Sequence, residues 1–496
     1  MAKLHEECGV FGIFDPKGNP ANTTYYGLVA LQHRGQEGCG IAVNRDREIY
    51  HYKDVGLVND VFNEEILEKL SGRMAIGHVR YSTAGGSARE NVQPLVLRYI
   101  KGSLAISHNG NITNVDEIRK ELEHSGAIFQ TTADTEIIAY LIARERITSG
   151  SIESAVKNAM KKLKGAYSLL VMSPNKLIAA RDKWGFRPLQ MGKRDDAVVF
   201  ASETCAFDAI DAEFVRDIAP GEIVTIEAAR DGGDGYFMTE DTELCDSVPS
   251  SMCIFEHIYF ARPDSTIENE VVHECRKRAG AFLAMQAPVD ADIVIGVPDS
   301  GLSAAQGYSE YSGIPIDTGF IKNKYIARTF IKPTQGAREV AVKMKLNVLK
   351  SAVQGKRVFI KPTQEQRERG VKMKLSAVRS IVADKNIVLI DDSIVRGTTS
   401  GRIVKLLRDA GAKEVHVRIS APAFKWPCFF GTDIPDRDLL IANNHTTEET
   451  RKIINADSLE YLSLENLHNI APNSSCGFCD ACFTGNYPVE VDHLLK

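Results

Sequence analysis

The stretch NIVLIDDSIVRGTTSGRIVKLL (386–407) constrains the fold more than any other part of the sequence. An apolar run ends in Asp391-Asp392, a loop of small residues follows, and an amphipathic run begins at once. That order predicts strand, loop and helix, the repeating unit of a parallel α/β sheet. Ligands of open α/β sheets sit at the carboxyl ends of the strands. A loop of Gly and Thr at a helix start offers free N–H groups, hydroxyls and the positive end of the helix dipole to a phosphate. Two adjacent carboxylates can take sugar hydroxyls or a hydrated Mg²⁺. Small residues at a helix start also serve as a plain cap. The paired acid at the strand end is what makes the stretch a candidate phosphate-sugar site.

The neighbouring sequence extends the sheet. ADIVIGV (291–297) and KEVHVRI (413–419) read as further strands, and 268–286 reads as a helix with Val272, Cys275, Ala279 and Phe282 on one face. EDTELCDSVPSS (240–251) is polar and turn-rich and reads as a linker. Before it, residues 8 to about 240 read as many short β-runs with a few helices. The division expected is therefore 1–7, 8–240 and 252–496.

A chain of 496 residues is long enough for two or three full cores. Hydrophobic residues make up 44% and charged residues 25%, with a net charge of −5 and both signs mixed. This argues against a nucleic-acid or membrane surface. No apolar run approaches the roughly 18 residues of a membrane span. The N-terminus lacks an apolar signal core, so a cytoplasmic protein is expected. Ten cysteines spread along so long a chain suit reduced thiols, some binding metal, better than a disulfide framework. IKPTQGAREVAVKMKLNVLKSAVQGKRVF (331–359) is followed directly by the related IKPTQEQRERGVKMKLSAVRSIVADKNIV (360–388), a tandem repeat. Two copies do not make a solenoid.

The stretch around Asp391 resembles the PRPP signature of type I phosphoribosyltransferases. The resemblance implies that Asp391 and Asp392 serve the ribose and Mg²⁺. It also implies that Ser393, Arg396, Gly397, Thr398, Thr399 and Ser400 hold the 5′-phosphate. VPDSGLSAAQGY (297–308) would then face the pyrophosphate, with Ser300 near the metal. Taken alone, PDSG is a turn signal.

The first half carries CGVFGIF (8–14), LQHRGQEGCGIA (31–42), GHVRYSTAG (77–85), SHNGNITN (107–114) and QTTADTE (130–136). In order and spacing these resemble the N-terminal-nucleophile glutamine amidotransferase domain, an α+β fold with an αββα sandwich. The chemistry suits the residue types. Cys8 would attack an amide, with its own α-amine as base, which requires Met1–Glu7 to be a removed propeptide. Arg80 can fork onto the α-carboxylate of glutamine, and Asp134 can take the α-ammonium. Asn109 and the N–H of Gly110 can form an oxyanion hole. Each residue has a plainer reading. Cys8 could be a buried thiol, Arg80 half of a surface ion pair, Asp134 a helix N-cap, and Asn109-Gly110 a hairpin turn.

Together the two halves resemble the PRPP-dependent glutamine amidotransferases. The resemblance implies ammonia made from glutamine and passed to PRPP, giving 5-phosphoribosylamine, the first step of de novo purine synthesis. It also implies purine nucleotide feedback inhibitors and a homotetramer or homodimer. Cys479 and Cys482 form C-x₂-C, and the iron–sulfur subclass of the family implies Cys253 and Cys428 as the other ligands of one 4Fe–4S cluster. That subclass also carries a propeptide. Four thiolates suit zinc as well, and Cys476 with Cys479 gives the same spacing. The loop that closes over PRPP in this family resembles the second repeat copy, with Lys372 and Lys374 as its bases. If the first copy serves instead, Lys343 and Lys345 take their place. The rival readings are another glutamine amidotransferase and a non-catalytic PRPP- or nucleotide-sensing regulator.

Overall fold

The computed structural model describes residues 8–81, 89–229, 233–322, 375–432, 434, 436–491 and 494. Met1–Glu7 lie outside the described residues, and so do the first repeat copy and the second as far as Lys374. The expectations for the propeptide and for Lys343, Lys345, Lys372 and Lys374 therefore fall outside them too.

Two antiparallel sheets, of seven and six strands, stack in the first half. Strands β1 (Gly9–Phe14) and β2 (Met74–Arg80) are neighbours in the first sheet, with Gly9 opposite Val79. Strands β3 (Gly102–Ile112) and β4 (Gly165–Met172) are neighbours in the second. Alternation along each strand builds the layers. Val10 and Phe14 of β1 meet Leu170 and Met172 of β4 between the sheets. Phe11 and Ile13 turn outward onto Ala21 and Leu28 of the helix Pro20–Ala30. On the far side, Leu169 and Val171 pack under Ile138 and Leu141 of helix α1 (Asp134–Thr148) and Val156 of helix Ile152–Lys162. The result is an αββα sandwich. Each large apolar side chain buried this way stabilises it by about 1.5–3 kcal/mol.

The second half is built on a parallel sheet in the order β5 (Ile293–Gly296), β6 (Asn386–Asp391), β7 (Glu414–Ile419) and β8 (Ser458–Tyr461). Both faces are covered, as a parallel sheet requires. Val294, Val388 and Ile390 pack against helices α2 (Val272–Gln286) and α3 (Leu302–Ser312). Ile293, Ile295, Ile387 and Leu389 pack against helix α4 (Thr398–Asp409). After α3 the chain returns beside β5 through a parallel Val294–Ile316 bridge, while β6 lies on the other side of β5. The crevice between β5 and β6 is thus a point where strand order reverses, the usual place for a ligand.

One expectation needs correction. The helix expected over 268–286 starts at Val272, because Glu268 and Asn269 take left-handed φ values of 50° and 67° and turn a short hairpin between Thr266–Ile267 and Glu270–Val271. Its core face carries Cys275, Ala279 and Leu283, with Phe282 half-buried against the same cluster.

Candidate active sites

Cys8 immediately precedes β1, so the register that sets Gly9 against Val79 brings Cys8 beside the end of β2. Its Sγ lies 3.4 Å from the Tyr81 carbonyl and 3.5 Å from the Tyr81 nitrogen, which donates to it. Burial pushes the thiol up to about 11, while the Tyr81 N–H and the Arg80 and Arg34 guanidiniums pull the other way. A thiol so protonated needs a base at hand before it can attack.

Arg80 ends β2 and is buried, and both Cys8 and Asp134 lie within its electrostatic reach. Asp134 opens α1, but Ala133 occupies the N-cap position, so Asp134 is not the cap. Its carboxylate accepts from Ile112 N at 3.4 Å and stands 3.4 Å from His108 Nδ1. Burial works to raise the Asp134 carboxyl, but the His108 imidazole and the N–H groups of Ile112 and Thr135 outweigh it and hold the carboxyl below its ordinary value.

Asn109 and Gly110 are not in a turn. They lie inside β3, opposite Ser168 and Tyr167. Asn109 is 1% exposed, and its Nδ2 is buried with no hydrogen-bond partner among the described residues. Buried donors are nearly always paired, so an open one here makes Asn109 Nδ2 a candidate donor to a ligand. Gly110 has φ +144°, and a Cβ there would lie 2.1 Å from the Ala166 carbonyl oxygen. Only glycine fits.

Sequence reasoning did not single out Arg34, although it stands in the quoted LQHRGQEGCGIA. It is fully buried and donates from Nε to the Cys8 carbonyl at 3.0 Å. Its other nitrogens reach Glu203 Oε1 at 2.6 Å and Glu256 Oε1 at 2.8 Å. His108 was missed in the same way, inside SHNGNITN.

At the second site, Asp391 ends β6 and both acids of the pair are buried. Asp392 N donates to Asp391 Oδ1 at 3.0 Å, and the hydroxyls of Ser300 and Ser393 both donate to the Asp392 carboxylate. Ser300 comes from the loop after β5, so the structure brings it onto the acidic pair. Burial raises both carboxyls, and at Asp391 the charge of Asp392 adds to it. Asp391, Asp392 and Ser300 form an all-oxygen donor set of the kind Mg²⁺ takes. Gly397, at φ 73°, turns the chain into α4. Thr398, Thr399 and Ser400 begin that helix with no acidic residue and no side-chain cap in the first turn, which leaves its N–H groups for an anion. Beside them Arg396 holds a buried Nη2 with no hydrogen-bond partner among the described residues.

A third constellation lies between the halves. Met252–Cys253 pairs in parallel with Phe478–Cys479, which sets Cys253 against Cys479. Lys425 N and Trp426 N both donate to the Cys482 carbonyl at 3.1 Å, drawing the loop of Cys428 onto the same place. Cys253, Cys428, Cys479 and Cys482 line one cavity with Phe186, Phe255, Phe430 and Tyr487. Burial pushes Cys253 and Cys479 each up to about 12, and the neighbouring Cys428 thiol adds to it, while Arg187 and, at Cys479, the Ala481 N–H pull the other way. Cys476 is elsewhere, packed with Met252, Ala261 and Val272. Among the described residues no three His, Cys, Asp or Glu are placed to hold a single metal ion. All ten cysteines are free.

These features define an N-terminal-nucleophile glutamine amidotransferase joined to a phosphoribosyltransferase. A glutamine amidotransferase domain model matches residues 78–209. The amidophosphoribosyltransferase of Methanocaldococcus jannaschii is 48% identical, over 98% of this chain and 98% of its own. That of Bacillus subtilis is 46% identical, over 98% and 95%. The solved structure of the Bacillus subtilis glutamine PRPP amidotransferase, complexed with ADP and GMP, superposes with a TM-score of 0.82 at 45% identity and covers 98% of both chains. The chain belongs to the amidophosphoribosyltransferase family. It is an enzyme of the glutamine amidotransferase and glycosyltransferase type, and its reaction is the first step of purine biosynthesis.

Proposed function

We propose that residues 8–240 hydrolyse glutamine and residues 252–496 transfer the ammonia to PRPP. The observation that carries this reading is the gathering of Cys8, Arg80 and Asp134 at one end of the sandwich, with the unpaired Asn109 Nδ2 on the adjoining strand. Removal of Met1–Glu7 frees the α-amine of Cys8. That amine takes the Sγ proton as sulfur attacks the amide carbon. Arg80 holds the substrate α-carboxylate and Asp134 its α-ammonium. Asn109 Nδ2 and Gly110 N–H stabilise the tetrahedral oxyanion, which collapses to a thioester as the proton passes to the departing ammonia. Water then releases glutamate.

At the second site ammonia attacks C1 of PRPP and pyrophosphate leaves. Ser393, Arg396, Gly397, Thr398, Thr399 and Ser400 hold the 5′-phosphate, and Asp391 and Asp392 face the ribose and a magnesium ion with Ser300. When bound, Mg²⁺ neutralises the leaving pyrophosphate. Either repeat copy could supply the closing lysines, Lys372 and Lys374 in one case, Lys343 and Lys345 in the other.

The cavity of Cys253, Cys428, Cys479 and Cys482 fits a 4Fe–4S cluster. It supplies four thiols and an apolar wall that keeps oxidants out. Cys253, Cys428, Cys479 and Cys482 would hold the cluster, and so would tie three separate segments of the chain together. The relative crystallised with ADP and GMP supports purine nucleotide inhibition here. No helix of the described residues is long and apolar enough to cross a membrane. A cytoplasmic homo-oligomer with no membrane or nucleic-acid partner completes the reading.

The test is glutamate release from glutamine by anaerobically purified protein, with and without PRPP and Mg²⁺, followed together with phosphoribosylamine. Product formation with strong PRPP stimulation is expected. Glutamate release indifferent to PRPP would refute the joined reaction in this chain.

A further inference from the structure

A cavity of about 460 Å³ opens at the carboxyl ends of β7 and β8. Pro422 and Ala423, just beyond β7, line it together with Glu460 and Tyr461, which end β8. Ligands of open α/β sheets sit at such strand ends, and small-molecule sites run from about 300 to 1,000 Å³. The cavity is distinct from the PRPP site, since neither acid of the pair and no residue of the phosphate loop lines it. The short helix Ile441–Asn444 borders both places. Its Ala442 lines the cavity, while Ile441 N donates to the Val395 carbonyl of the phosphate loop at 2.9 Å.

Two hydroxyls at this cavity have unmet hydrogen bonds. Thr450 lines it from the helix Thr447–Ile454 and is 1% exposed. Its Oγ1 is buried with no hydrogen-bond partner among the described residues. A helical threonine readily gives this hydroxyl to the carbonyl one turn back, and Thr450 does not. The Tyr461 hydroxyl is likewise buried and without a partner among the described residues. Burial raises its phenol, so the hydroxyl keeps its proton and can donate. Buried tyrosine hydroxyls usually find a partner, and two orphans at one cavity point to a ligand that accepts from both.

The charges narrow the ligand. Lys425, His445 and Glu460, all exposed, complete the polar wall. Glu448 and Glu449 stand in the first turn of the helix that carries Thr450. A dianion such as phosphate would meet those two acids and Glu460 together, whereas a single negative charge suits one lysine and two neutral donors. Leu462, Leu464 and Phe483 supply an apolar side. We propose that this cavity binds a small organic carboxylate with an apolar body. The carboxylate takes the hydroxyls of Thr450 and Tyr461 and the ammonium of Lys425, and the body lies against the two leucines and Phe483. A free amino acid and a simple carboxylic acid share this chemistry. Glu460 distinguishes them, because only the amino acid brings an ammonium for it to hold.

The test is calorimetric titration of anaerobically purified full-length protein with three probes of like body: isocaproate, L-leucine and isopentylamine. The two carboxylates should bind with a Kd of about 1 mM or tighter, and the amine should not. Tyr461→Phe and Thr450→Val delete only the hydroxyls, and each should weaken the carboxylates about tenfold. Neither should lower the melting temperature, because neither hydroxyl has a protein partner to lose. Only binding that these variants weaken counts, since the glutamine site also takes amino acids. Leucine tighter than isocaproate, with the advantage lost in Glu460→Gln, makes the ligand an amino acid; the reverse order makes it a simple acid. Absence of carboxylate binding at about 10 mM would overturn the proposal. So would an amine that binds as well as leucine, or unchanged affinity in both hydroxyl variants. A lowered melting temperature with unchanged affinity would make the hydroxyls merely structural and overturn it too.

Discussion

Asn111 donates from Nδ2 to the Phe429 carbonyl at 2.8 Å, a hydrogen bond that spans 318 residues of chain. Asn111 is two positions beyond Asn109 on β3, on the same side of the strand. Phe429 follows Cys428. The strand that carries the proposed oxyanion donor and the wall of the thiol cavity are therefore fastened to each other. Asn111→Ala leaves the Phe429 carbonyl without this partner, a cost of about 1–3 kcal/mol. Thermal unfolding should show a drop of about 2–4 °C per kcal/mol lost. A melting point equal to wild type would mean that solvent replaces the bond fully.

Asn109→Ala removes a donor that the ground state leaves idle, so its effect belongs to the transition state. The kcat of glutamine hydrolysis should fall about 10²- to 10³-fold with little change in KM. Synthesis from ammonia should continue, since it bypasses the first site. Gly110→Ala should be worse for folding, because the new Cβ meets the Ala166 carbonyl at 2.1 Å. A kcat of Asn109→Ala close to wild type would remove Asn109 from the mechanism.

What could be read from the sequence followed from local pattern. DDSIVRGTTS and CGVFGIF mark a strand end before a helix start and the start of a strand within a few residues, so the paired acids, the small-residue loop before α4 and the thiol at the head of β1 were visible. Arg34, Glu203 and Glu256 were not. Each is a charged residue buried by partners 169 and 222 positions away, and no short window shows that pairing. The hairpin at Glu268-Asn269 was missed because two left-handed residues beside a helical pattern look like more of the same helix. Asn109-Gly110 has the composition of a turn, yet tertiary pairing with Ser168 and Tyr167 keeps it in a strand.

Asp134 gives a pH prediction with a definite sign. Its carboxyl is held below the ordinary value, so the charged form persists as pH falls past about 3.9 and is lost only lower. The KM for glutamine should therefore show no rise from Asp134 between neutral pH and about 4. Asp134→Asn should raise KM about 10- to 100-fold, the worth of a charge-assisted bond. A wild-type KM that climbs from about pH 6 downward would point to another group.

The role proposed for Cys8 ties maturation to catalysis. Intact mass measurement should find the chain beginning at Cys8, with Met1–Glu7 gone. Cys8→Ala should retain the seven residues if removal is self-catalysed, lose glutamine hydrolysis and keep synthesis from ammonia. Full-length wild-type protein with undiminished glutamine hydrolysis would disprove the need for a free α-amine.

The two C-x₂-C pairs can be told apart by iron content. Cys479 faces Cys253 across a parallel strand pair and lines the cavity with Cys428 and Cys482. Cys476 lies in a separate apolar cluster and feels the charges of Arg181 and Glu268. Anaerobic Cys476→Ser should therefore keep about four irons per chain and the visible absorbance of a 4Fe–4S centre. Cys479→Ser should lose both, and its wild-type parent should release iron and sulfide to a chelator. Zinc in place of iron in the wild type would reassign the cavity. Equal loss in both serine variants would place Cys476 among the ligands and require the 476–479 turn to be rebuilt around the metal.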